Sequence, residues 1–230
     1  MAESETMHEV EALKVEIITF DCYGTLIDWE KGITEAFVSA AAADGRSVDA
    51  GKVLELYSKT ERAVEADSYR TYSEVLSETS LKIARELGWT PSNPSFLAES
   101  LPRWQPFPDT NDALHRLLEA GVRLGILSNI DDALLEETRK HLSAPFELII
   151  TAQQVQSYKP AEGHFLEARR QIGDARWLHA AQSNFHDIIP TLALGISNAW
   201  INRKGERALP GGEPDHEFRD LSELAAWVEG

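Results

Sequence analysis

The chain has 230 residues, 43% hydrophobic and 26% charged, a composition that supplies a sizeable core and excludes disorder, collagen and a disulfide mini-protein. At this length roughly 70–75% of the unfolded surface should be buried, so one large domain or one domain with an insertion is expected. The 22 Lys and Arg against 38 Asp and Glu give a formal charge of -16, a field that repels nucleic-acid backbones and anionic lipid surfaces, so neither is an expected partner.

In chain order, residues 1–14 are acidic and lack the charged-then-apolar pattern of a signal peptide. They read as a flexible or helical extension of a cytoplasmic protein. Val15–Phe20 is apolar and β-branched, bounded by Asp21 and Gly24, and reads as a buried strand. Cys22, the one cysteine, cannot form an intramolecular disulfide and reads as a small buried apolar residue. Next come helical patterns over Ile33–Ala43, Ala50–Glu65 and Tyr72–Leu87 with no strand among them, then a Pro-rich stretch from Pro91 to Pro108. This stretch, 29–105, reads as an inserted helical cap, and the core is expected at 15–28 and 106–230. A helix at Thr110–Ala120 follows, and then apolar strands at Val122–Leu127, Phe146–Ile150, Trp177–Ala181 and Ile196–Ile201. Helical spacing follows the first three of these four. Strands alternating with helices imply an α/β fold, a Rossmann-like parallel sheet core carrying the cap. The Gly-containing loop Lys204–Pro214 reads as mobile surface. No run approaches the ~20 apolar residues needed to span a bilayer.

In an open parallel sheet, ligands bind outside the carboxyl ends of the strands. Those ends carry Asp21; Ser128 and Asn129; Tyr158, Lys159 and Pro160; and the run Gln182-Ser183-Asn184-Phe185-His186-Asp187. A carboxylate leaving a buried strand into a crevice needs a cation or several donors, and Lys159 is the natural counterion for Asp21. Pro160 suits a first helical position, which would put Lys159 at a helix N-terminus, where the dipole disfavours its charge unless anions surround it. A carboxylate kept ionised, partly dry and oriented can act as a nucleophile and form an ester that water then cleaves.

Asp21-Cys22-Tyr23-Gly24-Thr25-Leu26, Ser128-Asn129, Lys159-Pro160 and Ser183-Asn184-Phe185-His186-Asp187 together resemble the four ordered motifs of the haloacid dehalogenase superfamily. The resemblance covers most of the chain, including the place of the cap. It implies that Asp21 is the nucleophile and that Thr25 hydrogen-bonds near it. Ser128 and Asn129 would hold an anionic part of the substrate, Lys159 would neutralise the nucleophile, and Asp187 with Asn184 would position or activate water. Phosphatases of the superfamily carry a second Asp two residues after the nucleophile and an acidic Mg²⁺ ligand four residues before the last motif Asp. Here those places hold Tyr23 and Ser183, so no metal or cofactor is expected.

Both departures resemble the L-2-haloacid dehalogenase branch, in which halide leaves without a proton. The implied substrate is a small 2-haloacid, its carboxylate bound near Ser128 and Thr25, with Tyr23, Thr25, Asn129 and Ser183 contacting it. The catalytic set is Asp21, Lys159, Asp187, Asn184 and Ser128, the product is a 2-hydroxy acid, and analogy suggests a homodimer. That branch uses a cap arginine for halide, but the matching helix here reads Leu56-Tyr57-Ser58-Lys59-Thr60-Glu61, leaving Arg62 or Arg70 to take the part. Three alternatives stay open: another leaving group, as in ring opening of azetidine-2-carboxylate; a Mg²⁺-dependent phosphatase; and a non-catalytic binding module. On local grounds Asp187 also reads as the cap of a helix starting near Ile188, Ser128 and Asn129 as caps of a helix at Asp131–His141, and His186 as a packing residue turned away from Asp187.

Overall fold

The computed structural model describes residues 15–65 and 68–230; the extension expected at 1–14 lies outside the described residues. Strands β1 (Ile17–Phe20), β2 (Arg123–Ser128), β3 (Leu148–Thr151), β4 (Trp177–Ala181), β5 (Ser197–Ile201) and β6 (His216–Phe218) form one sheet in the order β3-β2-β1-β4-β5-β6. All neighbours are parallel. This is the doubly wound order, whose connections diverge on either side of β1, and β1 and β4 flank the resulting crevice. All four residues of β1 are buried, as a near-continuous apolar run in the middle of a parallel sheet should be. The sixth strand was not legible in the sequence, because it is three residues long and none of them is fully buried.

Helices α1 (Trp29–Ala43), α2 (Ala50–Glu65), α3 (Tyr72–Glu86) and α4 (Phe96–Ser100) lie between β1 and β2. The remaining helices are α5 (Thr110–Glu119), α6 (Asp132–Arg139), α7 (Ala152–Val155), α8 (Gly163–Ile172), α9 (Ile189–Ala193) and α10 (Leu221–Glu229). Helical spacing puts Ala113, Leu114 and Leu117 on one buried face of α5, where each Leu contributes about 1.5–3 kcal/mol. Among the described residues, no helix is long and apolar enough to cross a membrane.

One apolar cluster runs from Ile18 and Phe20 in the sheet through Leu26 and Ile27 to Ile33, Phe37, Leu76 and Ile83 in the inserted helices. The two chain crossings between sheet and insertion are tied together, Asp28 N–H donating to Gln105 O at 2.9 Å and Phe107 N–H to Leu26 O at 3.0 Å. A second tie comes from Asp131. Its carboxylate accepts from the backbone N–H of Tyr72 at 2.7 Å and of Ser73 at 2.9 Å, so an anion from the sheet side sits on the N-terminus of α3. Thr71 and Glu74 close a capping box on the same turn.

Two local expectations are corrected. Pro160 does not open a helix: α8 begins at Gly163, and the Lys159 ammonium meets carboxylates rather than a helix terminus. Asp187 does not cap a helix either. Ser183 does, accepting from His186 N–H at 3.1 Å, and Asp187 lies inside the wide turn Asn184–Ile188 that leads into α9. The cap position before α6 belongs to Asp131 rather than to Ser128 or Asn129.

Candidate active site

A cavity of about 420 Å³ opens over the carboxyl ends of β1, β2 and β4 and reaches the inner face of α2. Its floor holds Asp21, Ser128, Lys159 and Asp187, and aromatic side chains of Tyr23, Trp29, Tyr57, Tyr72 and Trp104 supply much of its wall. Volume and lining suit a small ligand held by a few polar groups in an apolar enclosure.

Asp21 follows β1 directly, and Gly24 makes the turn beyond it. Gly24 has φ +100°, and a Cβ there would lie 2.9 Å from Trp29 Nε1, so only glycine fits. The turn brings Thr25 back beneath Asp21. Thr25 Oγ1 accepts from Gln182 N–H at 2.9 Å and so aims its own proton at Asp21 Oδ2, 3.0 Å away. The other carboxylate oxygen accepts from Lys159 Nζ at 3.0 Å.

Lys159 is 1% exposed, and all three of its ammonium protons are accounted for: Asp21 Oδ1, the Leu127 carbonyl at 2.8 Å and Asp187 Oδ1 at 2.6 Å. Asn129 holds the lysine backbone at two points, its amide donating to Lys159 O at 3.0 Å and accepting from Lys159 N–H at 2.7 Å. Burial works against the Lys159 charge, but Asp187 and Asp21 outweigh it and hold the ammonium above its ordinary value. Burial pushes Asp21 above the ordinary carboxylate value against the pull of Lys159, with the like charge of Asp187 adding to the rise. Asp187 is also penalised by burial, but Lys159 and His179 overcome that and hold it well below the usual range. One cation thus serves two buried carboxylates, and Asp21 carries the less stabilised charge of the two.

Ser128 Oγ and Asp187 Oδ2 are buried, belong to residues that line the cavity, and have no hydrogen-bond partner among the described residues. The Ser128 carbonyl is fixed by His164 Nε2 at 3.1 Å. Asn184 also lines the cavity, yet its amide is engaged by the loop 204–214, donating to Gly212 O at 2.7 Å and accepting from Leu209 N–H at 3.2 Å. A Cβ on Gly212 would come within 2.1 Å of Asn184 Oδ1. That loop, read from sequence as mobile surface, therefore walls the cavity with Lys204, Glu206, Arg207 and Leu209.

All nine residues singled out in the sequence except Thr25 line this cavity or, for Asn129, both line it and clamp Lys159; Thr25 lies directly behind Asp21. Tyr23 OH is paired with Thr138 Oγ1 at 2.7 Å and its ring packs edge-on against Trp104, so it stands as a wall. His186, expected to turn away, lines the cavity and is pushed down to about 4 by burial. Cys22 is fully buried and its thiol is pushed well up by burial, which suits its apolar reading.

On the cap side, Arg62 reaches the cavity with its guanidinium 4.8 Å from the centre of the Phe185 ring. Arg70 is not among the lining residues and is bound by Glu78 at 2.5 Å and by Val64 O at 3.3 Å. Ser58, in the helix segment Leu56–Glu61 that carries no arginine, lines the cavity beside Glu61 and Glu65. Tyr57 and Tyr72 both donate to Glu61 Oε1, at 2.8 and 2.5 Å. Burial, with Glu61 adding to it, pushes Glu65 up to about 9. Sequence reading did not find Glu61, Glu65 or His179. The available signal for His179 was a histidine midway in an otherwise apolar buried strand.

The pattern of the haloacid dehalogenase-like hydrolases matches residues 15–181. Over 220 residues the chain is 26% identical to an (S)-2-haloacid dehalogenase of Pseudomonas putida, H-109, covering 93% of this chain and 98% of that one. The structure superposes on a defluorinating L-2-haloacid dehalogenase with a TM-score of 0.80 at 26% identity, covering 94% of this chain and 96% of the other. An L-2-haloacid dehalogenase from Xanthobacter autotrophicus, solved with chloropropionic acid covalently bound, has the same fold, with a TM-score of 0.79 at 20% identity over 94% of this chain and 99% of that one.

Proposed function

The chain belongs to the haloacid dehalogenase-like hydrolases, and from that premise we propose that it is an (S)-2-haloacid dehalogenase working through an ester on Asp21. One observation carries the reading: Asp21 opens onto the cavity with its charge held between Lys159 and Thr25, while Asp187 waits on the same ammonium. In the first step an Asp21 oxygen bonds to C2 of the 2-haloacid as the carbon–halogen bond breaks and halide departs. The substrate carboxylate lies against the Ser128 hydroxyl and the turn that precedes α6. Arg62, which reaches the cavity, takes the halide in place of the arginine that the segment Leu56–Glu61 lacks. Water activated by Asp187 then adds to the Asp21 carbonyl carbon, and the bond to the C2 oxygen breaks to release a 2-hydroxy acid.

Metal independence is part of the proposal. Among the described residues no group of three His, Cys, Asp or Glu side chains is arranged to hold a metal, and the contact between Asp21 and Asp187 runs through Lys159 Nζ. The expected partner is a small carboxylate, and a homodimer in the cytoplasm is the proposed setting.

The test is chloride release from racemic 2-chloropropionate with EDTA present. Wild type should release chloride from one enantiomer and Asp21→Asn from neither. In isotopic water under single turnover the heavy oxygen should enter Asp21. No chloride from either enantiomer refutes the halide reading.

A second reading is favoured by Glu65. A cavity carboxyl pushed up to about 9 holds a proton at neutral pH and can give it to a nitrogen or oxygen leaving atom. On that reading the substrate is a strained cyclic amino acid such as azetidine-2-carboxylate. Glu65→Gln should then abolish ring opening and leave halide release, if present, nearly intact.

A further inference from the structure

Thr19 on β1 and His179 on β4 are register partners on adjacent strands, both fully buried. Their hydrogen bonds can be assigned without ambiguity from one end. The indole of Trp177 can only donate, and its Nε1–H points at Thr19 Oγ1, 2.7 Å away. Thr19 accepts there, which leaves its single proton for His179 Nδ1 at 2.8 Å. Nδ1 is then an acceptor, the ring hydrogen resides on Nε2, and Nε2–H donates to Asp187 Oδ1 at 3.0 Å. Phe165 packs its ring edge-on to the imidazole, centroids 5.3 Å apart, which blocks rotation of the ring.

Asp187 Oδ1 therefore receives two donors, Lys159 Nζ at 2.6 Å and His179 Nε2 at 3.0 Å, and Oδ2 receives none within the described residues although it is buried beside the cavity. A single donor would let the carboxylate swivel about its Cβ–Cγ bond. Two donors arriving from different elements, the loop after α7 and the middle of β4, fix its plane and reserve the unpaired oxygen for the cavity side. The oxygen left without donors is also the more basic of the pair, as a group that must take a proton from water should be.

We propose that His179 is a positioning residue for the second half of the reaction: with Thr19 and Trp177 behind it, it aims Asp187 at the water that cleaves the Asp21 ester. This rests on the ester reading above. It separates the two half-reactions, because the first step uses Asp21 and Lys159 while the second also needs the orientation of Asp187. No bond from His179 reaches Asp21, so the attack on C2 and departure of halide should be nearly indifferent to it.

The experiment is rapid-quench intact-protein mass spectrometry with (S)-2-chloropropionate, run beside chloride detection, on wild type, His179→Leu, His179→Gln and Thr19→Val. In His179→Leu, loss of one charge-assisted donor should slow ester hydrolysis about 10- to 100-fold. Chloride should then appear in a burst of one equivalent while the ester accumulates on Asp21. Gln retains an N–H donor near the position of Nε2 and should recover most of the hydrolysis rate lost in His179→Leu. Thr19→Val, which keeps the shape of the strand and removes only the hydroxyl that sets the tautomer, should show a smaller version of the same accumulation, and it carries the test should His179→Leu fail to fold. Equal slowing of chloride release and of ester hydrolysis, no ester in either His179→Leu or Thr19→Val, or a Gln variant as impaired as Leu overturns the inference. Wild type that yields neither chloride nor adduct overturns the ester reading itself, and this inference falls with it.

Discussion

Replacing Lys159 with Met removes the ammonium while roughly keeping the length of the side chain, and the structure sets the size of the effect. Nζ is 3.0 Å from Asp21 and 2.6 Å from Asp187, with the lysine side chain 1% exposed. Without it, two carboxylates remain buried with no cation between them. Removing one partner from a buried ion pair costs about 3–5 kcal/mol, a large part of the ~5–15 kcal/mol by which domains are stable. The sign of the pH dependence follows. In the variant, one of the two carboxylates takes up a proton on folding because neighbouring like charges raise its pKa above the unfolded value. The stability of that protonated form is fully present below the unfolded value and is lost as pH rises through the folded one. In the wild type Asp187 is depressed, so its contribution is present above the ordinary carboxylate value and is lost as pH falls through the folded one. The raised carboxylate of the variant therefore makes the gap widen from about pH 5 toward about pH 7–8, while the Asp187 contribution is already complete at about pH 5 and adds a constant offset, and the more weakly raised Asp21 of the wild type trims the widening only in part. Urea unfolding followed by tryptophan fluorescence across that range measures it, and Lys159→Met combined with Asp21→Asn should recover about half of the loss, since one buried charge then disappears. A deficit under about 1 kcal/mol, the level of an exposed pair, or one that does not change with pH, would refute the buried one-cation, two-carboxylate account.

Thr25→Val removes the donor to Asp21 and leaves Gln182 N–H without its acceptor, so stability should fall by about 2–4 kcal/mol. Burial raises Asp21, so the acid limb of kcat/KM is expected above the ordinary carboxylate value in the wild type and further up in Thr25→Val, and Thr25→Ser should restore both. Asp131→Ala takes the carboxylate off the N-terminus of α3 and should cost about 1–2 kcal/mol; hydrogen exchange should be faster at the amides of Tyr72 and Ser73. Gly212→Ala drives a methyl into Asn184 and displaces the cavity wall, so kcat/KM should drop about 10- to 100-fold, and Asn184→Ala should behave alike.

Much of the site was legible because strand ends and loop residues carry chemistry in local order. Ser128 ends and Asp21 directly follows an apolar strand, Lys159 and Asp187 lie in the polar segments that leave β3 and β4, and a parallel sheet must bring those ends to one edge. Thr25 was legible through the motif it shares with Asp21, only three residues of turn lying between them. What failed were readings that rested on one segment. Pro160 after Lys159 suggested a helix start, and an acid before Ile188 suggested a cap, yet tertiary contacts assign the lysine to two carboxylates and the cap to Ser183.

By itself, then, the sequence determined the α/β architecture, the run of helices between the first two strands and the pairing of Asp21 with Lys159, since periodicity, composition and short motifs act over a few residues. Only the tertiary structure decided that Asn184 spends its amide on the loop around Gly212, that Asp131 fastens the insertion to the sheet, and that His179 stands behind Asp187. Those pairings join residues far apart in the chain or on different strands. A buried donor or acceptor must find a partner, and which partner it finds depends on how the sheet and helices bring distant side chains together, something no local pattern encodes.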